Sequence, residues 1–297
     1  MTSSLTQQLS PSVRFDHAGF IVENLDASSS LMGRLGFTQT LRADHTRTDA
    51  QGAKVSAGSS QRCIMLQRGY IELMQITDPT QGHQLALAST ERYGLHLLGL
   101  GTEDAIACRA ARVRSGVDVS DVLYWSRPIK EADLDGVAQF AYFGSAWQPQ
   151  DPSYVFWVEH RTPELLRSPA LVRHANGAIG LTGFVYRGPE HQARAWVAQL
   201  RAAGFGLDRE DACSVTLALP DARVLVQFDP GAERVRPVAM ELDFEGCTEL
   251  QRRCVELGVA HTRLPGGGLQ LDLVEQLGMH WICRQTAMTQ QPQVRYV

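Results

Sequence analysis

Residues 13–37 read VRFDHAGFIVENLDASSSLMGRLGF. The first ten residues have the apolar and aromatic density of a buried strand. A polar turn follows, then a short helix, LDASSSLMGRL, which stops at the glycine of GF. His17 stands in the middle of the strand. An imidazole there needs a hydrogen-bond partner or a metal ion, because burying it unpaired costs about 1–3 kcal/mol.

The same grammar recurs at GLHLLGLGTEDAIACRAARVRSGV, at IGLTGFVYRGPEHQARAWVAQLRAAGF and at VAMELDFEGCTELQRRCVELGV. The stopping glycines are Gly36, Gly116, Gly204 and Gly258. His17 lies 19 residues before Gly36 and His96 lies 20 before Gly116, while the matching slots of the third and fourth copies fall near Leu181 and Val238. Short strands follow each helix: FTQTLRA, QRCIMLQ and GYIELMQI in the first copy, VLYWSRP, AQFAYFG and SYVFWVEH in the second. The third copy shows CSVTLALP and ARVLVQFD, and the fourth GLQLDLV and GMHWICR. Each copy therefore reads as a βαβββ unit, and the fold class is α+β with four such units. One unit alone is marginal, whereas two paired units curl into a cup. The expected domains are residues 13–168, carrying the site, and residues 177–285, a degenerate pair. The boundary falls in HRTPELLRSPALVRHANG.

With 297 residues, 44% of them hydrophobic and 20% charged, the chain has ample core material for two domains. A net charge of -4 points to neither nucleic acid nor an anionic membrane as partner. There is no apolar run of the ~20 residues needed to cross a bilayer. The first residues, MTSSLTQQLSPS, have no secretory pattern, and both ends read as disordered tails. Six scattered cysteines without a CxxC pair suit buried, reduced thiols. The expected location is the cytoplasm and the expected partner a small-molecule substrate; homodimerisation is left open.

If His17 and His96 hold equivalent places, both point into one cup. YIEL then aligns with WVEH, and Glu72 corresponds to Glu159. A carboxylate within such an apolar strand needs a salt bridge, to Arg62 or Arg127 for example, an exposed strand end, or a metal. Four residues on matching strands, His17, Glu72, His96 and Glu159, suit one divalent ion: Ni, Co, Mn, Fe or Zn. Such an ion would stabilise an oxyanion on a substrate that chelates it through adjacent oxygens. Glu72 or Glu159 would then shuttle the proton as the catalytic base. His160, next to Glu159, alternates to the opposite face. His45 reads as a surface loop residue, Tyr142 or Tyr124 as a phenol donor to the oxyanion, and Arg62 or Lys130 as an anchor for an acidic substrate.

The repeated units, with FDHAGFIVENLDA, GYIELMQITDP, GLHLLGLGTEDA, WVEHRTPELL and the later HANG, resemble the vicinal oxygen chelate superfamily. This superfamily includes glyoxalase I, bleomycin- and fosfomycin-resistance proteins and extradiol dioxygenases; the chain is most similar to its glyoxalase-like group. The resemblance implies the metal set His17, Glu72, His96 and Glu159, and substrate contacts at His174 and Asn176. The function implied is that of a metal-dependent lyase or isomerase. Two other readings stand beside it. An Fe(II) ring-cleaving dioxygenase would use His17, His96 and Glu159, and a non-catalytic resistance-type binder would hold no metal.

Overall fold

The structure is a computed structural model that describes residues 12–49, 51–83, 85, 86, 92–131 and 133–286. The tails expected at the two ends fall in residues 1–11 and 287–297, which lie outside the described residues. The first eight-stranded sheet comprises β1 (Arg14–Ile21), β2 (Ala43–Thr48), β3 (Lys54–Met65), β4 (Tyr70–Ile76), β5 (Gly94–Gly101), β6 (Leu123–Glu131), β7 (Leu134–Gly144) and β8 (Tyr154–His160). Helices α1 (Leu25–Arg34) and α2 (Ala105–Arg114) belong to it. The strand order is β2-β3-β4-β1-β5-β8-β7-β6. Within each unit the first strand pairs parallel with the last, and β1 pairs antiparallel with β5 across the joint.

The second sheet repeats this order with β9 (Ala178–Gly188), β10 (Gly206–Glu210), β11 (Ser214–Ala218), β12 (Arg223–Phe228), β13 (Arg236–Phe244), β14 (His261–Arg263), β15 (Leu269–Leu273) and β16 (Met279–Gln285). Its helices are α3 (Glu190–Ala203), α4 (Thr248–Leu257) and the single turn α5 (Val274–Leu277). The chain is thus α+β, with four βαβββ units in two paired sheets. Some strands depart from the expected bounds. β2 runs Ala43–Thr48 and overlaps the expected strand of residues 37–43 only at Ala43, and all five residues of β10 are exposed, so no apolar alternation marks that strand in the sequence.

Each helix lies on the convex face of its sheet. One cluster of buried apolar side chains runs from the first convex face (Phe15, Phe20, Trp157) through the helices (Met32, Cys108, Trp196, Leu250) to the second (Phe184, Met240, Trp281). Phe15 meets Phe184 at 5.1 Å between ring centroids, and Phe37 meets Trp281 at 5.7 Å. The concave face of the first sheet carries separate apolar groups around Met65, Phe140 and Val158, and around Met74, Leu97 and Tyr154. Among the described residues all cysteines are free; five are buried and Cys213 is exposed. No helix among them is long and apolar enough to cross a membrane.

Candidate functional site

Strand pairing fixes which residues share the cup. β1 and β5 run antiparallel with Ala18 opposite Leu98, His17 opposite Gly99 and Gly19 opposite Leu97. The local two-fold therefore passes through the Ala18–Leu98 pair and carries His17 onto Leu97, not onto His96. The register skips Asp16 on β1 and His96 on β5, so each is the extra residue of a β-bulge. A one-residue slip reverses the face of every side chain. His17 and Leu97 line the cup. His96 is buried outside it, its Nε2–H donating to the carbonyl of Arg92 at 3.0 Å and its Nδ1 without a partner. Burial and the nearby Arg92 charge push the His96 pKa down to about 3, although the Arg92 carbonyl favours the charged form. His96 is neutral at pH 7.

The last strands carry the same correction. Tyr70 lies opposite His17 and Tyr154 opposite Leu97, which makes Phe156 the counterpart of Glu72. Glu159 corresponds to Gln75, and the two have one job. Gln75 Oε1 accepts the first helical amide of α1, Leu25 N–H, at 3.1 Å, and Glu159 Oε2 accepts that of α2, Ala105 N–H, at 2.9 Å. Helix N-termini leave such amides unpaired and favour negative charge. Glu159 is a helix-start acceptor, with Arg161 3.5 Å away, and does not line the cup.

The neighbour expected on the opposite face, His160, is instead joined to the cup's histidine. Its Nε2 lies 2.9 Å from both carboxylate oxygens of Asp16, whose Oδ2 also takes the proton of His17 Nδ1 at 2.7 Å. Burial alone would raise the Asp16 pKa, but the charges and hydrogen bonds of His160 and His17 outweigh it and hold the carboxyl well below the usual range. Asp16 is therefore an ionised, buried bridge between two imidazoles. It aims the free Nε2 of His17 into the cup, where the ring stacks on Tyr70 at 4.2 Å between centroids.

Beside His17, on the neighbouring strand β4, stands Glu72. Its Oε2 is 4.0 Å from His17 Nε2, and its Oε1 is 3.3 Å from His45 Nε2. His45 is in turn bonded through Nδ1 to the Ser59 hydroxyl at 2.7 Å. With Ser59 donating, His45 carries its proton on Nε2 and gives it to Glu72. Burial of Glu72 raises its pKa, yet the His45 hydrogen bond and the charges of His45, His17 and His83 bring it below the ordinary value. His83 completes this corner, its ring centroid 5.6 Å from that of His45; burial lowers its pKa to about 4. His45 and His83 escape sequence reasoning because both sit in polar surroundings. His45 is the residue skipped where the β2–β3 register shifts, and Thr46 and Arg47 after it also line the cup, so no alternation in the sequence marks it.

The cup is a cavity of about 310 Å³. One wall, from the first unit, is polar: His17, His45, Glu72, His83 and Gln61. The other, from the second unit, is apolar and aromatic: Leu97, Trp125, Phe140, Tyr142 and Phe156. Tyr142 is the one expected substrate contact that lines it. Arg62 turns away, its Nη1 donating to the Thr40 carbonyl at 3.1 Å. His174 clamps the joint between the sheets, accepting from Thr38 N–H at 3.0 Å and donating to the Met65 carbonyl at 2.9 Å. Asn176 is buried there, donating to the Leu35 carbonyl and accepting from Ala178 N–H. Both residues hold the fold, because the chain must turn at Gly177 (φ 80°) into β9.

The four-residue metal set does not fit. His17 and Glu72 face the cup, but their second-unit counterparts, Leu97 and Phe156, offer no donor atoms, and His96 and Glu159 point elsewhere. The dioxygenase set His17, His96 and Glu159 fails for the same reason. Among the described residues no three His, Cys, Asp or Glu side chains are grouped to hold a metal ion. In the second sheet, pairing assigns these slots to Gly183, Ala239, Leu225 and Ile282, rather than to Leu181 and Val238, and none carries a donor.

A family model described as a glyoxalase-like domain matches residues 15–202. No curated protein matches. Among solved structures, the chain is similar to a hypothetical protein from Staphylococcus aureus (TM-score 0.64, 12% identity, covering 92% of this chain and 100% of that one). It is also similar to a mutant of 4-hydroxymandelate synthase from Streptomyces coelicolor (0.60, 15%, 94% and 94%) and to a Mn(II)-bound glyoxalase from Novosphingobium aromaticivorans (0.58, 13%, 93% and 83%). At these identities the likeness is one of fold.

Proposed function

Because the chain belongs to the glyoxalase-like domain family, we propose that its cup is the active site of a lyase- or isomerase-type enzyme that moves protons on a small substrate with adjacent oxygens. The observation that carries this reading is the pair of proton acceptors side by side on the cup wall: His17 Nε2, aimed by Asp16, and Glu72 Oε2, 4.0 Å away. A substrate C–H and the O–H on the neighbouring carbon would lie in the cup against this wall, one before each acceptor. Glu72, ionised at neutral pH, takes the carbon proton, and His17 exchanges the oxygen proton; returning the protons in the other order gives isomerisation. Burial raises the Tyr142 pKa, so its phenol stays protonated as a donor to the oxygen that gains charge. The divalent ion implied by the resemblance has no step in this scheme, since half of its ligand set points away from the cup.

The test is proton exchange. A panel of small α-hydroxycarbonyl compounds is incubated with the protein in D₂O, and loss of the carbon-bound proton is followed by NMR. Glu72→Gln and His17→Ala should each slow exchange by about 10²–10⁴-fold, whereas His160→Phe, one bond further out, should cost less. Exchange indifferent to Glu72→Gln would sink the proposal. So would turnover that consumes oxygen, or a protein that binds the panel and exchanges nothing.

A further inference from the structure

The polar wall of the cup has a use in the reading above; a lone cation in the apolar wall does not. Arg127, on β6, lines the cavity among Trp125, Phe140, Tyr142 and Phe156 and is half-buried. It makes no hydrogen bond and no ion pair with a described residue. Its charge is felt by Cys63, Tyr70 and Glu131, so it reaches across toward β3 and β4. Glu131 is near enough to feel that charge but forms no ion pair with it, and its Oε1 accepts the backbone amide of Leu41. Most other arginines of the chain are engaged: Arg62, Arg92 and Arg112 on carbonyls, Arg68, Arg223 and Arg284 on carboxylates. A guanidinium taken partly out of water without a partner is a cost that an anion removes, and its planar fork suits a carboxylate.

We propose that the substrate is a small aromatic or similarly flat monocarboxylate. Its carboxylate pairs with Arg127, its body lies against Trp125, Phe140 and Phe156, and its reacting end meets Glu72 and His17. This assignment rests on the cup being the active site and adds the class of molecule that enters it. The size is consistent: a cavity of about 310 Å³ takes one ring with two or three substituent atoms.

The test uses the full chain and three probes: phenylacetate, its uncharged isostere phenylacetamide, and acetate. Binding is followed by titration calorimetry and by the fluorescence of the tryptophans. Phenylacetate should bind about tenfold or more tightly than phenylacetamide, the range that a charge-assisted hydrogen bond supplies, and acetate should not register. Arg127→Gln should abolish the preference for the acid over the amide, and Arg127→Lys should retain part of it. Both variants should fold, since Arg127 holds no other group; unchanged thermal unfolding checks this. Equal affinity for acid and amide, a preference that survives Arg127→Gln, or no binding of phenylacetate would each overturn the assignment. Glu72→Gln separates the two ideas. Phenylacetate binding that persists in this variant, alongside proton exchange that Glu72→Gln leaves untouched, would leave the substrate class standing and remove the proton-transfer reading.

Discussion

His96 is buried with one ring nitrogen on the Arg92 carbonyl and the other without a partner. Its replacement by leucine loses one hydrogen bond, worth about 1 kcal/mol, but also removes a buried unsatisfied atom that costs a similar amount or more. His96→Leu should therefore be nearly neutral at pH 7 and leave any divalent metal content unchanged, because the ring never reaches the cup. Its effect should appear in acid. The folded-state pKa of about 3 lies below the ordinary 6.5, so the unfolded chain takes up the proton first, and stability falls as pH drops from about 6.5 toward 3 at no more than about 1.4 kcal/mol per pH unit. His83, lowered to about 4, adds a second slope over most of that window. Denaturant unfolding at pH 7, 5.5 and 4.5 should show a flatter pH dependence for His96→Leu than for the unchanged protein. A large loss of stability or of metal at pH 7 would contradict this account. The histidine itself was legible in the sequence; its face was not. Nineteen residues separate His17 from Gly36 and twenty separate His96 from Gly116; the residue nineteen before Gly116 is Leu97, the counterpart that strand pairing gives His17, while His96 matches Asp16.

At the scale of elements, the bulges on β1 and β5 decide what the cup contains. On β1 the bulged Asp16 bonds His17 next to it, and on β5 the bulged His96 turns away while Leu97 lines the cup. The strand across from His17 must also make room. A Cβ built on Gly99 would stand 2.5 Å from the Nδ1 and Cε1 atoms of His17, and the ring cannot retreat, because Tyr70 is stacked on its other side. Gly99→Ala should cost about 1–3 kcal/mol as an overpacked site. It should also slow proton exchange at least as much as it would if His17 were partly lost, since the ring leaves Asp16. Thermal unfolding and the exchange assay together check this; a stable variant with full exchange would show that the His17–Asp16 geometry is not needed. The strands and helices themselves were readable from apolar density and stopping glycines. The role of Glu159 is hidden in the sequence because an acid that starts a helix and an acid that faces a cup look alike in an apolar strand.

At the scale of the molecule, the two sheets share one core. Phe15, Phe20, Phe37 and Trp157 of the first domain are buried against Phe184, Phe244, Trp281 and the carbonyl of Ala203 in the second. Residues 1–168 alone would expose that convex face, a patch of the kind that drives association. This fragment should be aggregated or loosely folded by size-exclusion chromatography and near-ultraviolet circular dichroism, although it contains every residue of the cup. A monomeric fragment with native spectra and full binding of phenylacetate would show that the second sheet is dispensable.

The sequence by itself determined the four-fold repeat, the α+β units, the helices with their glycine stops and three residues that line the cup, His17, Glu72 and Tyr142. These follow from local patterns of apolar residues, turns and caps, which a chain carries along its length. The tertiary structure alone decided which neighbours join them: Asp16, His45 and His160 came in, and His96, Glu159, Arg62, His174 and Asn176 went elsewhere. The reason is parity. A strand's side chains alternate, so aligning two repeats one residue out of step puts a residue on the wrong face, and the pairing of β1 with β5 and β4 is what sets them in step.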